Sequence, residues 1–145
     1  GLDKIHELGV LYRDLKPENV LLKKNNLKVV LSDFGHSKII SRSLKRKSFC
    51  GTPEYFAPEV LQGREYGFEV DWWQFGIIIY EMLTGYPPFE GSLECLCNSI
   101  LMDEIIFPCT MDKQARDLIV KLTQKKSEDR LSNVSKIRSH PFFLK

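Results

Sequence analysis

Asp14, Lys16 and Asn19 fall within six residues, and a second carboxylate, Asp33, follows after a stretch that reads as a hairpin. A carboxylate can accept a proton, and an ammonium can neutralise an anion. An amide oxygen together with a carboxylate oxygen suits a hard divalent cation. Taken singly, Asp14 and Asp33 are ordinary surface carboxylates. Their spacing and the residues around them make them candidates, provided that the elements of the fold carry them to one place.

The positioning elements are legible. Leu2, Ile5 and Leu8 recur on one helical face, and Gly9 supplies a stop. The apolar runs Val20 to Leu22 and Leu27 to Leu31 flank Lys23-Lys24-Asn25-Asn26. Asparagine tolerates turn geometry, so this is a β-hairpin that brings Asn19 and Asp33 to the same end. Residues 35 to 58 have no sustained period and contain Gly51, Pro53 and Pro58, which marks a long functional segment. Asp71 to Leu83 is apolar nearly all round, with Asp71 as N-cap and Gly85 before Pro87-Pro88 as the stop. This helix is the expected hydrophobic centre. Two amphipathic helices follow, one carrying Leu93, Leu96, Cys97 and Ile100 after Ser92, the other Ala115, Leu118, Ile119 and Leu122 after Asp112. A short helix around Val134 and Ile137 leads to His140-Pro141.

Composition sets bounds on function. The 145 residues suit one domain, with 43% hydrophobic and 28% charged side chains and a formal charge of +2. That charge gives no argument for nucleic acid or a membrane surface. No apolar run reaches bilayer length and the N-terminus has no signal pattern, so the expectation is an intracellular, cytoplasmic protein without a membrane span. The basic stretch Arg42 to Lys47 leaves nuclear import open, and otherwise reads as a solvated loop. Cys50, Cys95, Cys97 and Cys109 lack zinc-site spacing and are expected to be reduced, mostly buried thiols.

Tyr12-Arg13-Asp14-Leu15-Lys16-Pro17-Glu18-Asn19 resembles the catalytic loop of protein kinases, with tyrosine in the usual histidine position. Asp33-Phe34-Gly35, Ala57-Pro58-Glu59 and Asp71-Trp72-x-x-x-Gly76 follow in the family's order, and Ser48 to Tyr55 resembles the activation segment of the AGC group. The resemblance runs from Gly9 to Phe143. It implies a serine/threonine kinase with a protein-kinase-like fold, a mainly α large lobe with a short catalytic β-hairpin and no small β-rich N-lobe. Residues 1–145 would thus be a partial kinase domain.

The resemblance also implies roles. Asp14 would be the catalytic base, with Asn19 and Asp33 as magnesium ligands. Lys16 would meet the transferring phosphate, and Glu18 and Leu21 would complete the ATP contacts, with Leu21 beneath the adenine. Glu18, Thr52 and Glu81 would face a protein substrate with a Ser/Thr acceptor and basic residues upstream of it. Ser48 would be phosphorylated by an upstream activating kinase and answered by Arg13 and Lys38. Tyr12, Phe34, Glu59, Asp71 and Arg130 would be structural: Tyr12 stacked on Phe34, Glu59 paired with Arg130, and Asp71 bonded to the loop backbone.

The sequence contains no Gly-x-Gly-x-x-Gly loop and no Val-Ala-Ile-Lys strand. The 145 residues alone are therefore expected to bind nucleotide poorly and to be inactive. A helix that relatives pack on the Trp72 to Leu83 core has no counterpart here, so apolar surface should be exposed beside it. The alternative reading is a catalytically inactive lobe serving as a protein-binding module.

Overall fold

The computed structural model describes residues 1–24, 28–40 and 50–144. Helix α1 (Leu2–Glu7) packs Leu2 and Ile5 against the core. Leu8 does not share that face and is 67% exposed, because the helix has already ended at Glu7. Gly9, at φ +74°, turns the chain, and a Cβ there would lie 2.9 Å from the Ile40 carbonyl. That close approach lets Ile40 N–H donate to the Gly9 carbonyl and aligns β1 (Val10–Leu11) with β4 (Lys38–Ile39), antiparallel.

The expected hairpin is present as β2 (Val20–Lys23) and β3 (Lys28–Leu31), with Val20 opposite Leu31 and Lys23 opposite Lys28. Its turn residues 25–27 lie outside the described residues. Strand alternation divides its side chains: Val20, Leu22, Val29 and Leu31 line one apolar groove, while Leu21 and Val30 occupy the other face. The groove, ≈ 690 Å³ and open to solvent, continues along Trp72, Phe75 and Met82. This is the apolar exposure anticipated beside the central helix.

Helix α2 (Pro58–Leu61) precedes the 16-residue α3 (Glu69–Thr84). Trp73 and Ile77 are fully buried in α3, as expected of a central helix. It starts at Glu69, so Asp71 is not its N-cap: that carboxylate lies inside the first turn and is used on the loop preceding Asp14. Gly85 ends the helix at φ +89°, in the left-handed region. Helix α4 (Leu93–Met102) is capped by Ser92, and α5 (Lys113–Leu122) by the Asp112 carboxylate, which accepts from Gln114 and Ala115 N–H. α6 (Val134–Arg138) follows an Asn133 cap.

Gly76 sits where α3 meets α5, and a Cβ there would come within 2.7 Å of Thr123 and 2.9 Å of Leu122. Its absence lets Leu118, Ile119 and Leu122 pack on Ile79 and Tyr80. The other core cluster joins Trp73, Ile77 and Phe89 to Leu11, Tyr12 and Leu15. The segment that carries Asp14 is thus set directly on the core. The cysteines depart from expectation: Cys95 and Cys109 are exposed, Cys50 and Cys97 half-buried. On amphipathic α4 it is Leu96 and Ile100 that fill the inward positions. No helix among the described residues is long and apolar enough to cross a membrane.

Candidate active site

Two side chains of α3 hold the loop before and around Asp14. The buried Asp71 carboxylate accepts from Tyr12 N–H at 2.9 Å and Arg13 N–H at 2.7 Å. Its Oδ2 also lies 2.7 Å from His6 Nε2. Gln74 accepts from Leu15 N–H at 3.0 Å and donates to the Arg13 carbonyl at 2.9 Å. Arg13 adopts φ +74°, which side chains bearing a Cβ seldom take up unless the surroundings fix it. These bonds, with Arg13 Nε donating to the His36 carbonyl at 2.5 Å, supply that fixing.

Asp14 is 4% exposed, yet its carboxylate is fully partnered. Oδ1 accepts from the Thr52 hydroxyl at 3.0 Å. Oδ2 accepts from Asn19 Nδ2 at 3.1 Å and faces Lys16 Nζ at 3.3 Å. Lys16 in turn donates to Thr52 Oγ1 at 2.8 Å. A buried carboxylate stays tolerable only with such partners. Asp14, Lys16, Asn19 and Thr52 therefore form one network, drawn from the loop and from the segment after residue 50.

Asn19 also donates to the Asp14 carbonyl at 2.8 Å, so its amide nitrogen is committed and its Oδ1 is the available oxygen. Ser32 N–H donates to the Asn19 carbonyl at 2.9 Å, extending the hairpin pairing one step and setting Asp33 at the end that carries Asn19. Asp33, at φ +50°, is exposed and accepts from Gly35 N–H at 3.0 Å. Two hard oxygens from an amide and a carboxylate fit magnesium. Among the described residues no group of three His, Cys, Asp or Glu side chains forms a softer metal site. The buried Tyr12 hydroxyl donates to the Ser32 carbonyl, just before Asp33. Burial, reinforced by Asp14, Asp33 and Asp71, pushes the Tyr12 phenol up to about 12, so it remains a donor. Tyr12 and Phe34 do not stack face to face; the rings meet edge-on at 75° with centroids 5.3 Å apart, the arrangement their quadrupoles favour.

A protein kinase domain model matches residues 1–143. The chain belongs to the protein kinase family. It is 46% identical over 146 residues to a RAC family serine/threonine-protein kinase homolog of Dictyostelium discoideum, covering 99% of this chain and 33% of that protein. It is 43% identical to the serine/threonine-protein kinase gad8 of Schizosaccharomyces pombe (99% and 26%) and 44% identical to protein kinase C delta type of Homo sapiens (99% and 21%). These relatives are of the AGC group. The chain spans a third or less of their lengths.

Within this kinase chain the segment after residue 50 is tied down at several points. Gly51, at φ +113°, comes so near the loop that a Cβ would lie 2.8 Å from the Arg13 carbonyl. Gly63 has φ +61° but nothing within 4 Å of its Cβ position. Gly63→Ala is therefore expected to cost about 1 kcal/mol of backbone strain, and Gly51→Ala, which adds the clash with the loop, about 2–3 kcal/mol. Urea denaturation of the two variants checks this; equal midpoints would rule out the contact with Arg13. Farther along, the Tyr55 hydroxyl donates to Glu81 Oε2 at 2.7 Å. Burial and then the Glu81 carboxylate raise the Tyr55 phenol well above its ordinary range, which keeps that proton in place. Glu81 is thus oriented by a phenol and, among the described residues, not by a salt bridge. Glu59 and Arg130 form the expected buried pair, at 2.6 Å and 2.9 Å.

The remaining candidates lie outside the Asp14 network, although Glu18 is near enough for its charge to act on Tyr55. Glu18 is exposed in the turn Pro17–Asn19, and Leu21 is 50% exposed on β2. Lys38 is exposed on β4. Ser48 and the basic stretch Arg42 to Lys47 lie outside the described residues. Sequence reasoning passed over Gln74 and His6. A glutamine inside a helix buried on nearly every side was the available signal, since such a group needs partners.

Proposed function

We propose that these residues form the large lobe of a serine/threonine protein kinase domain, and that the protein containing them transfers the γ-phosphate of ATP to serine or threonine of protein substrates. The observation that carries this reading is the buried Asp14 carboxylate, held by Asn19, Lys16 and Thr52. Asp14 would orient the substrate hydroxyl and accept its proton. Lys16, already within 3.3 Å of Asp14, would meet the transferring phosphate. Asn19 Oδ1 and Asp33 would hold magnesium, which when bound supplies neutralisation of the phosphate charge. Leu21, on the hairpin face away from the groove, would lie beneath the adenine. The glycine loop and lysine that cover phosphates in the family are not among these residues, so the isolated stretch is proposed to have little activity.

Substrate choice would follow from Glu18 and Glu81, carboxylates suited to basic residues upstream of the acceptor. Phosphorylation at Ser48 by an upstream kinase, answered by Arg13 and Lys38, would order the activation segment. A peptide array on the full-length protein tests both activity and preference. Arginine two and three positions before the acceptor is expected to be favoured, and Glu81→Gln to weaken that preference by about tenfold. An array indifferent to those positions would discard the basic-substrate reading. Absence of any phosphorylated peptide would favour the inactive binding module.

A further inference from the structure

Helix α3 turns a second polar side chain toward the loop that carries Asp14. Gln74 lies one turn beyond Asp71 and is 3% exposed. Its Oε1 accepts from Leu15 N–H at 3.0 Å, and its Nε2 donates to the Arg13 carbonyl at 2.9 Å. These two backbone groups flank Asp14, one on each side. The amide has only one orientation that satisfies both, since its oxygen must face the N–H and its nitrogen the carbonyl.

We propose that Gln74 is a positioning residue that fixes the backbone on both sides of Asp14 and so aims its carboxylate; this rests on the kinase reading. Asp71 restrains only the upstream side, through Tyr12 and Arg13 N–H. Asn19 restrains the Asp14 carbonyl and side chain. Among the described residues Gln74 is the side chain that bonds to both neighbours of Asp14. Arg13 is held at φ +74°, a conformation that relaxes unless the peptide groups around it are pinned. Without Gln74 the Leu15 N–H and the Arg13 carbonyl lose these partners, and the loop can regain bonds only by moving. Such movement displaces Asp14 relative to Lys16 and Thr52, which approach it from other directions.

The test uses the full-length protein and compares Gln74→Met, similar in size but without hydrogen bonds, with Ile79→Ala, a destabilising change on the part of α3 that packs against α5. Gln74→Met is expected to speed exchange of the Leu15 amide by about tenfold or more and to lower kcat by roughly tenfold to a hundredfold. The KM for ATP should stay within about twofold, as expected when a transition-state contact is lost. Ile79→Ala, assayed below its melting temperature, should leave kcat unchanged and raise Leu15 exchange no more than that of the other core amides. If Gln74→Met fails to accumulate, Gln74→Glu keeps the acceptor for Leu15 and removes the donor for Arg13; a fall in kcat with Leu15 still protected supports the proposal. Unchanged Leu15 exchange in Gln74→Met overturns the bracket. Faster exchange with unchanged kcat overturns the positioning role while leaving the kinase reading intact. An unmutated protein that transfers no phosphate overturns the kinase reading instead, and the exchange measurement still decides the bracket.

Discussion

Replacing Asp14 with asparagine in the full-length protein is expected to lower kcat for phosphoryl transfer by about 10²–10⁴-fold, the usual contribution of a positioned general base. The substitution is nearly isosteric. Its carbonyl oxygen can still accept from Thr52 or Asn19, whose donors lie at 3.0 Å and 3.1 Å. What disappears is the negative charge facing Lys16 and the capacity to take a proton. Because Lys16 is partly exposed and water can reach its ammonium, removing the Asp14 charge strands no buried cation, and the folded state loses little. Activity and stability should therefore separate: kcat collapses while the urea midpoint moves by less than about 1 kcal/mol equivalent. Steady-state assays with a basic peptide and denaturation of the same preparation make the comparison. Retention of kcat within about threefold would remove Asp14 from the chemistry.

Such a separation is credible because Asp14 is aimed by groups remote in sequence, and those groups were unequally legible. The loop, the hairpin and the central helix could be read from motif order and from period. The caps at Ser92 and Asp112 followed from residue type and position. Asp71 shows where that reasoning stops. A carboxylate at the front of an apolar helix satisfies the rule for an N-cap, yet Asp71 lies within the helix and serves Tyr12 and Arg13 across 59 and 58 residues. Local rules cannot weigh a partner that distant; the family resemblance could, since it implied the bond from Asp71 to the loop backbone that the structure contains. His6 reaches the same carboxylate from α1, and only the folded chain brings the two together. Leu8 illustrates the opposite limit. Its spacing matched a helical face, but a glycine with positive φ at position 9 ended the helix before that face could continue. Tyr55 and Glu81 had recognisable sequence neighbours, but nothing in the sequence signalled that a phenol would orient the carboxylate.

Arg130→Met is expected to destabilise the folded state by about 3–5 kcal/mol, because it strands a buried carboxylate. Glu59 is 5% exposed and receives both guanidinium branches, at 2.6 Å and 2.9 Å. The same guanidinium donates to the Glu69 and Gln124 carbonyls and lies over the Trp73 ring at 5.2 Å. A loss of that size is a large fraction of the 5–15 kcal/mol typical of a domain. If the cost comes from the stranded charge, Glu59→Met combined with Arg130→Met should cost less than the two single changes added together. Additive losses in urea denaturation would refute that explanation, and a single-variant loss below about 1 kcal/mol would refute the prediction itself. The pair also bears on the site. Glu59 stands on α2, seven residues beyond Thr52, and Thr52 supplies the hydroxyl that bonds Asp14. Cutting the tie to Arg130 frees that end of the segment, so the Arg130→Met enzyme should lose activity below its own melting temperature. The single Glu59→Met change releases the same tie and should do so too, even where the double variant recovers part of the stability.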